Sequence, residues 1–323
     1  MQRGMELIRA VAFLIAAGSA LAAVLCLGGA VSDRLDVLTH LAPFLLAGGL
    51  LAVALQAMAG LQTGRATLAM GAVAAVIALG LLAPELIARF TTAAARPGAQ
   101  TVKVVQFNVW DANRDPAATA RWIAASGADV VVLEEAAGAG ARVTDDLRHT
   151  YLYRSPCLED GDCATVILSK VAARDGGELS WPGVGPRHVG AWASFGEGVA
   201  AFTVAGVHYV WPFPAGRQQA QARRFAQELA RFDPTSLIVA GDFNSTPWSF
   251  GLRRQDARLS LIRRDRAMAT WPGGSISHWR VSFPFPLFAV DHVYAGRSWR
   301  TVSVERGPCL GSDHYPITVV LTR

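Results

Sequence analysis

Three uncharged apolar runs fill the first third of the chain, at residues 10–31, 37–60 and 66–83. Each reaches or approaches the ~20 residues that a helix needs to cross about 30 Å of hydrocarbon. One such run could be a core helix of a soluble protein. Three in series, with almost no amphipathic break, read as membrane-spanning helices over about 10–31, 37–60 and 66–87, within a transmembrane domain of residues 1–90. The connectors 32–36 and 61–65 are short, which makes neighbouring helices antiparallel. Arg3 and Arg9 would also suit the basic start of a signal peptide, and cleavage there would still leave two spans. His40, Pro43 and Gln56 lie inside the second run, and polar groups near a helix start read as interfacial.

The composition separates the chain into two parts. Of 323 residues, 52% are hydrophobic and 17% charged, against a usual charged share of about 25%. The mean hydropathy is +0.29. Residues 1–90 carry the excess, and the remainder reads as an ordinary globular domain over 101–323. Pro84, Arg96, Pro97 and Gly98 punctuate 84–100, with a linker expected at 91–100. Lys103 and Lys170 are the only lysines, so the net charge of +5 is carried by scattered arginines. That favours anionic partners in general. No dense basic cluster marks a nucleic-acid footprint. Three spans put the chain ends on opposite sides of a membrane. Arg3, Arg9 and Arg65 fall on one side, Arg34, Arg89 and Arg96 on the other with Asp33 and Asp36. The expectation is an inside N-terminus and an extracytoplasmic C-terminal domain. Cys157 and Cys163 flank a polar loop, which suits a local disulfide in an oxidising compartment or two free thiols.

The globular part repeats one pattern: an apolar strand that stops at a polar residue. The run 237–240 ends in Gly241, then Asp242 and Asn244, which alternation places on one side. The run 101–107 ends at Asn108, and 128–133 at Glu134 and Glu135, with a helix over 116–126 between them that starts with Asp115 as cap and Pro116 in the first turn. The run 199–207 ends in His208, followed by a helix over 217–232. After Trp248 the chain to Arg266 reads as a basic helix, and 267–286 as a long loop. Asp291 and His292 lie in a strand-like run, and Gly311-Ser312-Asp313-His314-Tyr315-Pro316 precedes a last apolar strand, 317–321. Open sheets keep their chemistry at such strand ends. Hard oxygen donors dominate this set, and Cys and His are not in zinc spacing. That composition suits Mg²⁺ or Mn²⁺ and phosphoester hydrolysis.

Taken in order, Phe107-Asn108, Val132-Leu133-Glu134-Glu135, Val207-His208, Gly241-Asp242-Phe243-Asn244, Val290-Asp291-His292 and the Ser312-Asp313-His314 turn resemble the endonuclease/exonuclease/phosphatase superfamily. The likeness covers 101–323. It implies a deoxyribonuclease I-like α/β (α+β) fold, a four-layer sandwich of two β-sheets flanked by helices. It implies that Glu135 binds the metal, with Asn108 and Asp313 nearby. Asp242 would orient or activate water and Asn244 would position water or phosphate. His208 and Asp291 would lie at the phosphate, and His314, paired with a carboxylate, would act on the phosphoryl oxygen or as general base. Family members commonly carry Gln before the metal Glu; Glu134 stands there instead, and alignment with the apolar strand favours Glu135 as the ligand. Trp110 replaces an acid found in some nucleases.

The three-span arrangement resembles a bacterial branch of the family. It implies an integral inner (plasma) membrane enzyme acting on a phosphorylated, lipid-linked substrate, with no protein partner evident. The rival readings are a membrane-tethered nuclease acting on DNA and a non-catalytic binding protein on the same fold.

Overall fold

The computed structural model describes residues 2–91, 94–98, 100–156, 165–179, 190–276 and 281–323, and chain contacts divide it into two units. The expected disulfide between Cys157 and Cys163 falls outside the described residues. The first unit takes in Met1–Thr91 with two pieces of later chain, Phe213–Gly216 and Pro247–Arg253.

Three long helices build the first unit. They are α1 (Gln2–Leu27), α3 (Ala42–Ala59) and α4 (Arg65–Thr91), with the short α2 (Asp33–Asp36) in the first connector. The buried positions are small: Ala12, Ala16, Ala20 and Ala23 on α1, Gly49 and Ala52 on α3, Ala74 and Ala78 on α4. A Cβ at Gly49 would press on the Gly71 carbonyl oxygen, so the two backbones touch. Bulky apolar side chains point outward, among them Leu14 at 69% and Val76 at 69% exposure. A water-soluble core does the reverse; small residues between helices and large apolar ones outside is how helices pack in lipid. The stretches Gln2–Ala30, Asp33–Ala59 and Arg65–Phe90 are long and apolar enough to cross a membrane. The Arg9 guanidinium donates to the Ala59 carbonyl at 3.1 and 2.7 Å, tying the start of α1 to the end of α3.

Two features differ from the sequence reading. Helix α4 runs through Pro84 to Thr91, where punctuation was expected from Pro84 on. Pro84 removes one N–H from the ladder, a loss that membrane helices tolerate. The connector also has a function of its own. Asp36, buried at the end of α2, accepts the N–H groups of Phe250 (2.8 Å) and Gly251 (2.6 Å) through its two oxygens. Ser249 takes the next two, Leu252 N–H on its hydroxyl and Arg253 N–H on its carbonyl. The first four N–H groups of the helix that starts at Phe250 thereby all have partners, which its own turns could not supply.

The second unit begins with β1 (Thr101–Asn108), α5 (Pro116–Ser126), β2 (Val130–Glu134), α6 (Gly138–Leu147), β3 (Tyr153–Arg154) and β4 (Thr165–Ser169). Then come β5 (Asp175–Leu179), β6 (Gly190–Phe195), β7 (Phe202–His208), α7 (Arg217–Leu229), β8 (Leu237–Asp242) and α8 (Phe250–Leu259), whose first four residues count with the first unit. It ends with β9 (Ile262–Arg263), β10 (Ser275–Ile276), β11 (Val281–Ser282), β12 (Asp291–Ala295), β13 (Arg300–Arg306) and β14 (Ile317–Thr322). One sheet has the order β13-β14-β1-β2-β4-β3, the other β5-β6-β7-β8-β12-β9. Both are mixed, with β1–β2 and β7–β8 the parallel pairs. Val104, Val132 and Ile167 of one sheet meet Val204, Ile238 and Val293 of the other in a common core. Alternate residues, Val105, Phe107, Val131 and Leu133, face outward onto Ile123 of α5 and Val143 and Leu147 of α6. This is the expected sandwich of two sheets flanked by helices. The basic helix expected up to Arg266 stops at Leu259. Ser260 turns left-handed (φ 53°), and Ile262 and Arg263 join the sheet beside β12.

Candidate active site

The parallel pairs put the C-terminal ends of β1 and β2 side by side, and likewise β7 and β8, while antiparallel β12 starts where β8 stops. Register pairs Asn108 with Glu134, His208 with Asp242, and Asp291 with Asp242. Since β14 is antiparallel to β1, with Ile317 opposite Gln106, the turn carrying Asp313 and His314 lies beyond the same strand end. Gly241 is needed within β8, because a Cβ there would overlap the Val207 carbonyl oxygen.

Asp242 is the hub. Its Oδ2 lies 3.1 Å from Asn108 Nδ2, 3.6 Å from His208 Nε2 and 3.7 Å from His314 Nε2. Its Oδ1 accepts the Asn244 N–H at 2.8 Å. Asn244 Nδ2 donates to the Tyr209 carbonyl at 2.9 Å and lies 3.5 Å from His208 Nε2. Asp291 lies behind His314 with both oxygens engaged, Oδ2 by His314 Nδ1 and Oδ1 by Gln106 Nε2, each at 2.8 Å. Burial and the nearby Asp291 carboxylate push the Asp242 pKa up to about 6, against the pull of His314 and His208. Burial opposes charge on His314, but Asp291 and Asp242 outweigh it and hold the ring well above the usual imidazole value. Burial likewise opposes the Asp291 charge, yet His314 beside it keeps that carboxyl below the usual range.

The two adjacent glutamates part company. Glu134 is fully buried and takes Gln106 Nε2 at 2.8 Å; burial first and Asp291 second raise its pKa well above the usual value. Glu135 turns into the site, accepting Asn108 Nδ2 at 3.0 Å and lying 3.7 Å from His208 Nε2. Three left-handed non-glycine residues, Trp110 (φ 62°), Glu135 (φ 51°) and Asn244 (φ 46°), surround these groups. Such conformations cost about 1–3 kcal/mol each and concentrate at functional sites.

The donors fit a divalent cation at Glu135 and Asp313. Asp313 Oδ1 is buried without a partner, while Oδ2 takes the Trp271 indole N–H at 3.4 Å. Burial and the Glu135 carboxylate raise the Asp313 pKa. Two mutually repelling hard oxygens are what a divalent cation relieves. Asn108 bridges Glu135 and Asp242 with its NH₂ group, and its Oδ1 holds Trp110 N–H at 3.0 Å. Asp242, Asp291 and His314 also bring one ligand atom each within 4.8 Å of the others. The Asp291 oxygens there are already engaged, and Glu135 and Asp313 offer a second pair of carboxylates able to hold a cation.

Seven of the eight residues expected from the sequence thus join one network of close contacts, and Asp313 meets it through its electrostatic interaction with His314 and Glu135. Sequence reasoning missed Gln106, whose signal was a polar side chain inside the apolar run Val104-Val105-Gln106-Phe107. It also missed Trp271 and Gln218, which stand in a loop and a polar helix face with nothing to single them out.

No curated protein sequence matches the chain. Its fold resembles sphingomyelinase C from Streptomyces griseocarneus (TM-score 0.54, 20% identity, 70% of this chain and 100% of that one). It also resembles a variant of Staphylococcus aureus beta toxin with bound magnesium ions (0.54, 14%, 69% and 100%). A third likeness is to D. rerio TDP2 complexed with a single-strand DNA product (0.54, 15%, 69% and 100%). At these identities the likeness is one of fold. The model of the Endonuclease/Exonuclease/phosphatase family matches residues 105–314, a stretch that holds all eight site residues. The chain therefore belongs to the endonuclease/exonuclease/phosphatase family.

Proposed function

We propose that the chain is a membrane-anchored, divalent-metal-dependent phosphoester hydrolase acting on a lipid-linked phosphate or pyrophosphate. The observation that carries this reading is the convergence of two imidazoles and two amides on Asp242. Glu135 and Asp313, with Asn108 beside them, would hold Mg²⁺ or Mn²⁺, which polarises a non-bridging phosphate oxygen and lowers the pKa of water. Asp242 orients the water and takes its proton as the water oxygen bonds to phosphorus. A pKa of about 6 suits a base working near neutrality. His208 and Asn244 donate to the phosphate. Asp291 acts on it through His314, whose Nε2 donates to the phosphoryl oxygen as the bond to the leaving group breaks. These donors stabilise charge that grows in the transition state.

Two observations support a lipid substrate. The three helices pack as helices do in lipid, and Trp211, 57% exposed, stands edge-on to Trp271 at 5.5 Å, giving the site an aromatic neighbour. In this reading residues 1–90 anchor the catalytic domain, 101–323, through the linker 91–100, on the extracytoplasmic side of a bacterial inner membrane. A nuclease would need a basic groove, and in the arginine-rich stretch 253–266 Arg263 pairs with Asp256 while Arg264 is spent on the carbonyls of Ala295, Gly296 and Trp299.

The test uses full-length protein in detergent with Mg²⁺. Phosphate release from a polyprenyl pyrophosphate and nicking of plasmid DNA are followed side by side, with Asp242→Ala as control. Phosphate release that the substitution abolishes, without nicking, is the expected result. Nicking lost in Asp242→Ala would make the protein a tethered nuclease, and no activity on either would remove the hydrolase reading.

A further inference from the structure

Three successive carbonyls after Asp242 each lie within hydrogen-bond distance of a side-chain donor from another element. Gln218 Nε2, at the start of α7, lies among three carbonyl oxygens, Val210 O (2.9 Å), Asn244 O (3.0 Å) and Phe243 O (3.1 Å), which its two hydrogens share. His292 Nε2, on β12, donates to Ser245 O at 2.8 Å. On the far side of the ring, His292 Nδ1 lies 2.7 Å from Asp265 Oδ2, and both side chains are fully buried. Asp265 is fixed in turn by the Val293 N–H, which donates to its other oxygen at 2.8 Å. The Ser245 carbonyl can only accept, so Nε2 is the donor there, and the Asp265 carboxyl group holds the ring from the Nδ1 side. Neighbouring Asp291 and His292 sit on opposite faces of β12: Asp291 serves His314, and His292 serves the chain after Asn244.

That chain needs holding. Asn244 is in the left-handed region (φ 46°), and from there its side chain reaches Tyr209 O and the His208 ring. A peptide in this conformation persists where its surroundings over-determine it. Buried carbonyls also need donors, and Gln218 and His292 supply them.

We propose that Gln218 and the Asp265–His292 pair are positioning residues that lock Asn244 toward the phosphate. The inference rests on the hydrolase reading for its kinetic consequence, but not for its structural one. His292→Gln keeps a donor at the place of Nε2, facing Ser245 O. His292→Asn keeps one at the place of Nδ1, facing Asp265. If the Ser245 carbonyl is what matters, full-length His292→Gln retains kcat within about threefold. His292→Asn then loses about tenfold, or ~1.4 kcal/mol of activation free energy, with KM within twofold. Gln218→Leu should give the same split. Amide hydrogen exchange over residues 242–249, read without substrate, should rise in His292→Asn and Gln218→Leu and stay near wild type in His292→Gln.

If His292→Asn matches or exceeds His292→Gln in both readouts, the proposal fails. It also fails if kcat falls only in step with melting temperature. If the wild-type protein hydrolyses nothing, the hydrolase reading fails while the exchange pattern still decides this one.

Discussion

Glu134 and Glu135 are neighbours with the same side chain and opposite surroundings. Glu134 ends β2 facing the sheet interior; Glu135 turns left-handed and faces the site. A carboxyl whose folded pKa lies above its unfolded one binds its proton more tightly when folded. It adds stability below the unfolded value, and that contribution fades as pH rises toward the folded value. Glu134 is such a group. Its Oε1 and the Oε1 of Gln106 are buried without partners, and an amide at residue 134 would bring donors to that pair. Glu134→Gln should therefore raise the melting temperature, more at pH 8 than at pH 5, and leave Mn²⁺ binding intact. Glu135→Gln should weaken Mn²⁺ binding in calorimetric titration with little gain in stability. The reverse pattern would transfer the metal to Glu134. At this scale the site was legible wherever an apolar strand broke off at a polar residue, because both signals are local. Alignment with the apolar strand favoured Glu135 over Glu134, but the left-handed turn that separates the two side chains was not legible, since alternation fixes a face only while the backbone stays extended, and Glu135 leaves that conformation. The partner of His292 was hidden too, because Asp265 lies 27 residues away in sequence.

Elements were readable in proportion to how much of their stability is local. Helix α5 stands where expected, with Asp115 accepting the Ala118 N–H and Pro116 in the first turn. Strands β1, β2 and β8 are apolar runs buried along nearly their whole length. By contrast β5 reads Asp-Gly-Gly-Glu-Leu and β13 Arg-Thr-Val-Ser-Val-Glu-Arg. Both are sheet edges whose form comes from pairing with β6 and β14, a non-local cause. Within the helical unit the same holds for α2, which looked like a bare connector. Asp36 caps two N–H groups that Ser249 leaves unmet, and removing a cap costs about 0.5–2 kcal/mol. Asp36→Ala should loosen the segment Pro247–Arg253, seen as faster trypsin cleavage after Arg253 and Arg254 in detergent. Asp36→Asn, which keeps one acceptor oxygen, should fall between Ala and wild type. Equal cleavage in all three proteins would mean that Asp36 does not hold that segment.

On the scale of the whole molecule, the proposed spans predict which side of a membrane the site faces, and a single thiol can report it. The three proposed spans would place the two chain ends on opposite sides, but the arginine count is nearly balanced: Arg3, Arg9 and Arg65 against Arg34, Arg89 and Arg96. Charge bias alone is a weak guide when it is that even. Cys26 is buried among the helices, whereas Cys309 is exposed in the second unit. With Cys157 and Cys163 replaced by Ser, Cys309 becomes the reporter. Burial raises its thiol pKa from 9.0, and the thiolate is the reacting form. Labelling with a membrane-impermeant maleimide should therefore be run near pH 8, over a time course. An extracytoplasmic domain predicts labelling in intact spheroplasts at the rate seen after detergent lysis, abolished by Cys309→Ser. Labelling only after lysis would put the site in the cytoplasm. A lipid phosphate exposed on the outer leaflet would then be out of reach, and the substrate would have to be sought among phosphoesters on the inner face.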